Sequence, residues 1–342
     1  MEPTYNELLN SLKPLKSTGN APVVYDLFAG CGGLGLGFEA AGFRTVGFEM
    51  SEDACATYNR NLHGSCNKVI LHPGQDLGGK PDVIIGGPPC QPFSVGGLQN
   101  GKQDERNGFP AFLSAVEKYA PRFVLFENVR GMLYKNHKYL DLIQDQLRSL
   151  GYIVEHKLYN AVRFGVPQNR ERLIVVGHRG AWRPPKPSLQ RHFTAGEALG
   201  ELAMQIPPNA RFLTPSMDEY VAKYERASKC INPRDLHLHL PSRTVTCRNL
   251  YGATGDMLRI RLLDGRRRML TVREAARLQS FPDWFEFAGS EESQFQQIGN
   301  AVPPLLAKAL AVAVRTSLMS GDLDREAIRL AAESGKQFEL GI

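Results

Sequence analysis

The sequence predicts an α/β protein: a mostly parallel sheet with helices on both faces, plus a small irregular domain inserted late in the chain. Three observations predict it. Apolar strand-like runs alternate with helical stretches up to about His178, the pattern of a parallel sheet buried on both sides. Two of those runs end in loops rich in glycine or proline, Gly30-Cys-Gly-Gly-Leu-Gly35 and Gly86-Gly-Pro-Pro-Cys-Gln-Pro92, the place where open α/β sheets bind ligands. Beyond them, residues 181–262 are rich in proline, arginine and short mixed segments with no strand–helix alternation. A length of 342 residues suits two domains, at roughly 150 residues each.

The elements follow in order. Residues 1–20 read as a loosely attached amphipathic segment. VVYDLFAG (23–30) is a buried strand running into glycines, and LGFEAAG (36–42) a helix closed by Gly42. FRTVGFEM (43–50) is a second strand, and SEDACATYNRNL (51–62) a helix opened by Ser51 with Glu52 and Asp53 in its first turn. PDVIIGG (81–87) is a short apolar strand, 109–120 a helix, PRFVLFENV (121–129) a strand, 137–150 a helix and RLIVVGHR (172–179) a late strand. Helical character returns at 270–279 and 303–318, and 322–335 reads as one more exposed helix.

Composition removes several classes. Charged residues are 22% and hydrophobic ones 42%, an ordinary globular balance. The longest nearly apolar stretch, Ala301 to Val314, contains two prolines and Lys308 and is shorter than the roughly 18–20 residues that span a bilayer. Residues 1–16 lack the apolar core of a signal peptide. Six cysteines, at 31, 55, 66, 90, 230 and 247, are too sparse for a disulfide scaffold, and no two have C-x-x-C spacing, so neither a disulfide framework nor a metal site is expected. These points suggest a soluble protein of a reducing compartment.

The net charge of +6 is unevenly placed. Residues 160–191 and 241–277 each carry a net +6, whereas 1–159 and 192–240 are each −1 and 278–342 is −4. The two basic blocks are arginine-rich, and a guanidinium suits phosphates and guanine edges. The pattern is open to two readings, a solvated surface or a nucleic-acid face.

The first loop, G-x-G-x-x-G between a strand and a helix, suits a nucleotide-bearing cofactor, and Glu49, 19 residues after Gly30, is placed to accept from ribose hydroxyls. Taken alone it fits a dinucleotide-binding dehydrogenase equally well. Asp26 would attract a cationic or amino-bearing cofactor and sit poorly beside a pyrophosphate. In the second loop, three prolines and two glycines within residues 86–92 surround Cys90, a stiff setting for a positioned thiolate.

DLFAGCGGLGLGF, FEM, GGPPCQPFS, ENV, QNRER, LTVREAARLQSFPD and QIGNAVPP occur in this order over roughly residues 22–320. In that order they closely resemble the motifs of bacterial DNA (cytosine-5)-methyltransferases of the restriction–modification type. The resemblance implies a Rossmann-like, S-adenosylmethionine-dependent methyltransferase fold. Its catalytic domain would comprise residues 20–180 and 263–320, a target-recognition domain 181–262, and a helical tail 321–342. Cys90 would attack C6 of cytosine. Glu127 would contact N3 and the 4-amino group, Arg172 would hold O2, and Arg170 would order the active-site loop. As residues i and i+2 of an extended segment the two arginines would share a face.

For S-adenosylmethionine the resemblance implies Phe28 near the adenine, with Gly30 and Gly32 in the turn. Glu49 would sit on the ribose, Met50 against the base, Asp76 and Leu77 at the adenine edge, and Pro89 and Asn300 at the methionine end. The duplex would be met by Gln91, Ser94, Arg243, Thr246, Arg248, Asn249 and Tyr251, with the basic blocks on phosphates and the target base flipped out. No metal is implied. Double-stranded DNA is the expected partner, with a restriction endonuclease as functional counterpart without necessary contact. The enzyme is expected to be a cytoplasmic, stand-alone bacterial monomer that joins the nucleoid while acting. Asp104-Glu-Arg-Asn-Gly108 departs from the family's D-x-R-G by the extra Asn107. A tRNA cytosine-5 methyltransferase of the same lineage is the alternative, although its Cys-Phe-Thr signature is absent. A dehydrogenase leaves GGPPCQPFS unexplained, and a non-catalytic DNA-binding homologue leaves Cys90, Glu127 and Arg172 unexplained.

Overall fold

The computed structural model describes residues 3–16, 19–89, 107–187, 189, 191–208, 210–227, 235–252 and 254–319. Its strands, in chain order, are β1 (Val23–Leu27), β2 (Arg44–Glu49), β3 (Ser65–Lys68), β4 (Val83–Gly86), β5 (Phe123–Val129), β6 (Ile153–Asn160), β7 (Gln168–Asn169), β8 (Glu171–His178), β9 (Ser242–Arg243), β10 (Arg259–Arg261) and β11 (Arg267–Met269). The helices are α1 (Tyr5–Asn10), α2 (Gly33–Ala40), α3 (Glu52–Asn61), α4 (Phe109–Tyr119), α5 (His137–Ser149), α6 (Ala195–Leu199), α7 (Pro215–Ala227), α8 (Val272–Leu278), α9 (Glu291–Asn300) and α10 (Pro304–Met319). None of these helices is by itself long and apolar enough to cross a membrane.

The chain divides into two compact units. One holds residues 13–160, 171–186 and 307 onward, the other 1–12, 161–170 and 187–306. The first contains the large sheet, in the order β3-β2-β1-β4-β5-β8-β6. β3, β2, β1, β4 and β5 run parallel, and β8 runs antiparallel to both β5 and β6. Tyr25, Leu27, Phe48, Ile84, Val124, Phe126, Leu173 and Val175 pack on α4 and α5 through Phe109, Phe112, Val116, Leu140, Ile143 and Leu147. The alternate residues Val24, Val83, Ile85, Leu125 and Ile174 are also buried, so both faces are covered, as expected of apolar runs without alternation. At Gly37 of α2 an added Cβ would lie 2.4 Å from Ala307 Cβ, so glycine allows α2 and α10 to touch. β3 and β6, the two edge strands, were not expected from the sequence. Their burial is patchy, and a solvated edge lacks the apolar run that identifies a central strand.

The strand order reverses between β1 and β4, which are neighbours although β2 and β3 intervene in sequence. The loops leaving β1 and β4 therefore flank the crevice where such sheets bind ligands.

The second unit contains the parallel pair β7–β9 and the hairpin β10–β11. α7 packs on a small cluster of Leu213, Val221 and Met257. Its extent differs from the expected 181–262. Residues 263–306 group here because the β10–β11 hairpin, Arg268–Glu274 at 2.6 Å and the contact of Gly299 with residues 246–247 tie them to what precedes. Residues 1–12 join through the Tyr5–Phe193 ring contact and the Asn10–Asp283 hydrogen bond. Residues 307–319 fall with the sheet. The tail 321–342 lies outside the described residues.

Candidate active site

The turn after β1 is built from positive-φ backbone: Phe28 at 58°, Gly30 at 54° and Gly32 at 89°. At Gly32 a side chain would meet Tyr58 Cδ2 at 2.8 Å, while at Gly30 a Cβ would face open space. Glycine therefore serves conformation at one and both conformation and packing at the other. Glu49, at the end of β2, binds the turn: its Oε2 accepts from the Gly30 amide at 3.0 Å, and Oε1 accepts from the amides of Met50 and Ser51 at 2.9 Å each. Each carboxylate oxygen has two lone pairs, so Oε2 retains one for a further donor. Met50 is 64% exposed, and Ile70, just beyond β3, is 58% exposed. Val69 donates its amide to the Glu49 carbonyl at 2.7 Å, which brings the end of β3 beside Glu49.

Asp76 and Leu77 require a correction. Gly108, at the start of α4, lies against Phe28 and Pro89, where its Cβ would meet Pro89 Cδ at 2.5 Å and Phe28 Cζ at 2.9 Å. Asp76 instead accepts from the hydroxyl of Tyr119, at the opposite end of α4, at 2.7 Å. Leu77 donates its amide to that hydroxyl at 2.6 Å. Eleven helical residues separate the two ends, about 16 Å at 1.5 Å per residue. Tyr119, the Gly78 amide and Lys118 hold the Asp76 carboxyl down to about 2. The D-L dipeptide resembles an adenine-edge motif, but the position directly after β3 is taken by Val69 and Ile70.

Asp26 is fully buried, and the Gly35 backbone N–H beside its carboxyl only partly offsets the loss of solvent. Burial pushes its carboxyl well above the usual range, and the charge of Glu49 pushes the same way. Asn300 is exposed and falls in the second unit.

The catalytic candidates lie at the ends of β5 and β8. Arg172 Nε and Glu127 Oε1 are 2.7 Å apart, with the side chains 11% and 12% exposed. Burial lowers the Arg172 pKa from its ordinary value, and the Glu127 carboxylate opposes that shift. Asn128, next in ENV, donates its Nδ2 to the Pro88 carbonyl at 3.1 Å, and a Cβ on Gly87 would lie 3.5 Å from Glu127 Oε2. The β4 loop is therefore fastened to the end of β5. Gly108 donates its amide to the Pro89 carbonyl at 3.0 Å, which anchors both flanks of segment 90–106. Cys90, Gln91 and Ser94 lie outside the described residues. Asn107, the residue that departs from D-x-R-G, accepts from the Phe109 amide at 3.2 Å and donates to the Tyr139 hydroxyl at 2.6 Å, so it opens α4. Asn128 and Gly87 had not been singled out in the sequence; the shared ENV and GGPPC motifs were the available signal.

Arg170 belongs to the second unit and Arg172 to the first. Arg170 is 1% exposed and donates to the carbonyls of Val245 at 2.6 Å, Ala301 at 2.9 Å and Gly299 at 3.1 Å. Gln168 Oε1 accepts from the Val245 amide at 2.7 Å, and its Nε2 donates to Gln279 Oε1 at 2.6 Å. QNRER and QIGNAVPP thus clamp the backbone at residue 245. At Gly299 a side chain would collide with the Cys247 nitrogen at 2.2 Å.

The second basic block is neither a bare solvated surface nor a free cationic face. Within residues 241–277, Arg259 and Arg268 are fully buried. Arg259 pairs with Asp235 and Glu225, and Arg268 with Glu274. Arg267 pairs with Asp218 and Asp235, Arg277 with Asp283, and Arg243 with Asp256 at 3.0 Å. Arg273 donates to the Pro282 and Phe285 carbonyls. Arg261 and Arg266 contact Asp235 and Asp264 from exposed positions. Most of this charge is spent inside the fold. Of the expected DNA contacts, Arg243 is occupied by Asp256. Asn249 is 2% exposed, and its amide bridges the Thr246 amide and Thr244 carbonyl while Thr246 Oγ1 accepts from its backbone. These side chains shape the 244–249 turn. Tyr251 is 38% exposed and stacks under Arg211 at 5.2 Å; Arg248 is exposed.

A model of the family described as C-5 cytosine-specific DNA methylase matches residues 23–210 and 239–315. The type II methyltransferase M.AplI of Arthrospira platensis is 62% identical over 297 residues, covering 86% of each chain. M1.HphI of Haemophilus parahaemolyticus is 36% identical, covering 84% of this chain and 85% of its own. Among solved structures, the Entamoeba histolytica methyltransferase EhMeth superposes with a TM-score of 0.66 at 15% identity, over 87% of this chain and 99% of that one. A Spodoptera frugiperda DNMT2 mutant gives 0.64 at 18%, over 85% and 98%. These two establish likeness of fold. With the family model and the type II relatives, the crevice at the β1/β4 reversal and the buried Glu127–Arg172 pair belong to a bacterial restriction–modification enzyme: the chain is a member of the C-5 cytosine-specific DNA methylase family and a DNA cytosine-5-methyltransferase.

Proposed function

We propose that the enzyme methylates C5 of a cytosine flipped out of a specific short double-stranded DNA sequence, through a covalent bond from Cys90 to C6. The observation that carries this reading is the tether from Asn128 to Pro88. It sets Glu127 and Arg172, 2.7 Å apart, beside the loop in which Cys90 follows Pro89 directly.

C5 of cytosine is too weak a nucleophile to attack an alkyl donor unaided. Addition of the Cys90 thiolate to C6 makes C5 the nucleophilic end of an enamine. Glu127 holds N3 and the 4-amino group and draws off charge as the thiolate adds. Arg172, held rigid by that carboxylate, offers its remaining N–H groups to O2. After methylation a water or hydroxide removes the C5 proton, and Cys90 is eliminated.

S-adenosylmethionine, the donor implied by the family, supplies an electrophilic methyl group when bound. The first unit fits it. Glu49 Oε2 has capacity for a ribose hydroxyl, Phe28, Met50 and Ile70 offer apolar surface for an adenine, and the bare Gly30 turn lets the ligand approach the backbone. We assign the adenine edge to Val69 and Ile70 in place of Asp76 and Leu77. Pro89 remains a candidate for the methionine end; for Asn300 that role rests on the sequence resemblance alone. The second unit would serve target recognition. The enzyme would act as a cytoplasmic monomer paired functionally with a restriction endonuclease.

Bisulfite sequencing of plasmid DNA from cells expressing the chain tests this directly, because it reads both activity and target. Methylation confined to one short motif is the expected result. Transfer of label from S-adenosylmethionine to tRNA alone would overturn it. Cys90→Ser should abolish turnover and the denaturation-resistant adduct with 5-fluorocytosine DNA; an adduct that persisted would exclude Cys90 as nucleophile.

A further inference from the structure

Among the described residues, Arg248 is the one arginine of segment 241–277 without a hydrogen bond or ion pair to the rest of the chain; its neighbours 243, 259, 261, 266, 267, 268, 273 and 277 all have partners. It lies on a single π-helical turn, Arg248–Gly252, a rare local geometry that recurs at functional sites. Beside it is a cavity of about 350 Å³, lined by Ser216, Met217, Tyr220, Tyr224, Arg248, Gly255 and Asp256. That volume is at the lower end of the ~300–1,000 Å³ of ligand sites.

The cavity is formed by specific packing. Ser216, Tyr220 and Tyr224 are spaced i, i+4, i+8 on α7, so they share one face. The cluster of Val221, Leu213 and Met257 holds that helix against residues 254–258. Gly255 keeps the floor open: a Cβ there would lie 3.3 Å from Tyr220 Cε1 and 3.6 Å from Tyr224 Cδ2. Arg243 reaches Asp256 through both its carboxylate and its carbonyl, so the acidic wall is fixed and its charge is compensated. Tyr220 is 53% exposed.

We propose that this cavity reads the major-groove edge of one guanine in the target sequence, with Arg248 donating to O6 and N7 and the tyrosine rings walling the base edge. The inference rests on the DNA-methylation reading above. A guanidinium fork matches that pair of acceptors. The alternative partner for a lone surface arginine is a phosphate, and the lining opposes it: the walls are aromatic rings and a thioether, which suit a flat base edge better than a solvated anion, and the other charged group, Asp256, is already paired with Arg243.

The test is a pairing of variant and modified base. Each guanine of the motif found by bisulfite sequencing is replaced in turn by 7-deazaguanine, which lacks the N7 acceptor. At one position the wild-type enzyme should lose about tenfold to a hundredfold in kcat/KM. Arg248→Ala should lose a similar factor on unmodified DNA and nothing further with 7-deazaguanine at that position. Arg248→Lys should fall between, since it keeps the charge without the fork. Thermal melting of Arg248→Ala should match wild type, because the side chain has no internal partner to lose.

Three outcomes would overturn the inference while leaving DNA methylation intact. One is an unchanged Arg248→Ala. Another is a uniform loss on all sequences with a shallower salt dependence, the signature of a phosphate contact. The third is a target motif in which no guanine couples to residue 248. A wild-type enzyme that methylates no DNA would remove the underlying reading and this inference together.

Discussion

Arg172 and Glu127 meet at 2.7 Å with each side chain about nine-tenths buried, and the sheet register explains why. β5 and β8 run antiparallel with Glu127 opposite Ile174 and Val129 opposite Arg172, so the two charged residues are diagonal neighbours on adjacent strands. Glu127→Gln should reduce turnover by about 10²–10⁴-fold. It also leaves the Arg172 charge without its counter-ion, at a cost of about 3–5 kcal/mol. Single-turnover kinetics and thermal melting read the two effects separately. Turnover within a few-fold of wild type would exclude Glu127 from the chemistry.

Asp26 predicts a pH-dependent change in stability. Burial and the Glu49 charge raise its carboxyl pKa in the folded state, so the folded protein holds that proton more tightly than the unfolded chain. Its favourable contribution is present below the ordinary carboxyl pKa and is lost as pH rises through the folded value. Asp26→Asn should therefore raise Tm by several degrees at pH 8 and change little below pH 4. A gain of equal size at both ends would refute the shift.

Gly37 tests the contact between α2 and α10. Alanine is the better helix former by roughly 1 kcal/mol, but its Cβ would sit 2.4–2.5 Å from Ala307 Cβ, Ala307 C and Lys308 N. Two of these are backbone atoms, which cannot swing aside. Gly37→Ala should lower stability by about 1–3 kcal/mol, measured by urea unfolding. A stabilised variant would mean that the helices separate at little cost.

Arg170 acts through the backbone that it holds. A lysine at this position keeps the charge but cannot reach the carbonyls of Val245, Gly299 and Ala301 together. Arg170→Lys should raise KM for DNA more than it lowers kcat, with faster amide exchange around residues 244–248. A loss confined to kcat, with unchanged exchange, would instead make it a catalytic residue.

The central strands and the turns after β1 and β4 were legible in the sequence, and Glu127 and Arg172 were each singled out there, but their contact was not. Each depends on residues adjacent in the chain: an apolar run, a glycine or proline turn, a charged residue at a strand end. The edge strands β3 and β6 were not, because half-solvated strands have no such run. Asp76-Leu77 misled because a dipeptide carries no information on which end of the sheet it will occupy.

What the sequence by itself determined is therefore the central sheet and the family to which the chain belongs. The arginine-rich blocks show what it left open. Whether an arginine faces solvent or an internal carboxylate depends on partners such as Asp218 for Arg267 and Asp235 for Arg259, which lie 49 and 24 residues away. Only the tertiary structure brings these groups within hydrogen-bonding distance. A buried guanidinium without such a partner would be too costly to desolvate, so folding pairs most of them and leaves Arg248 at a cavity with its donors free.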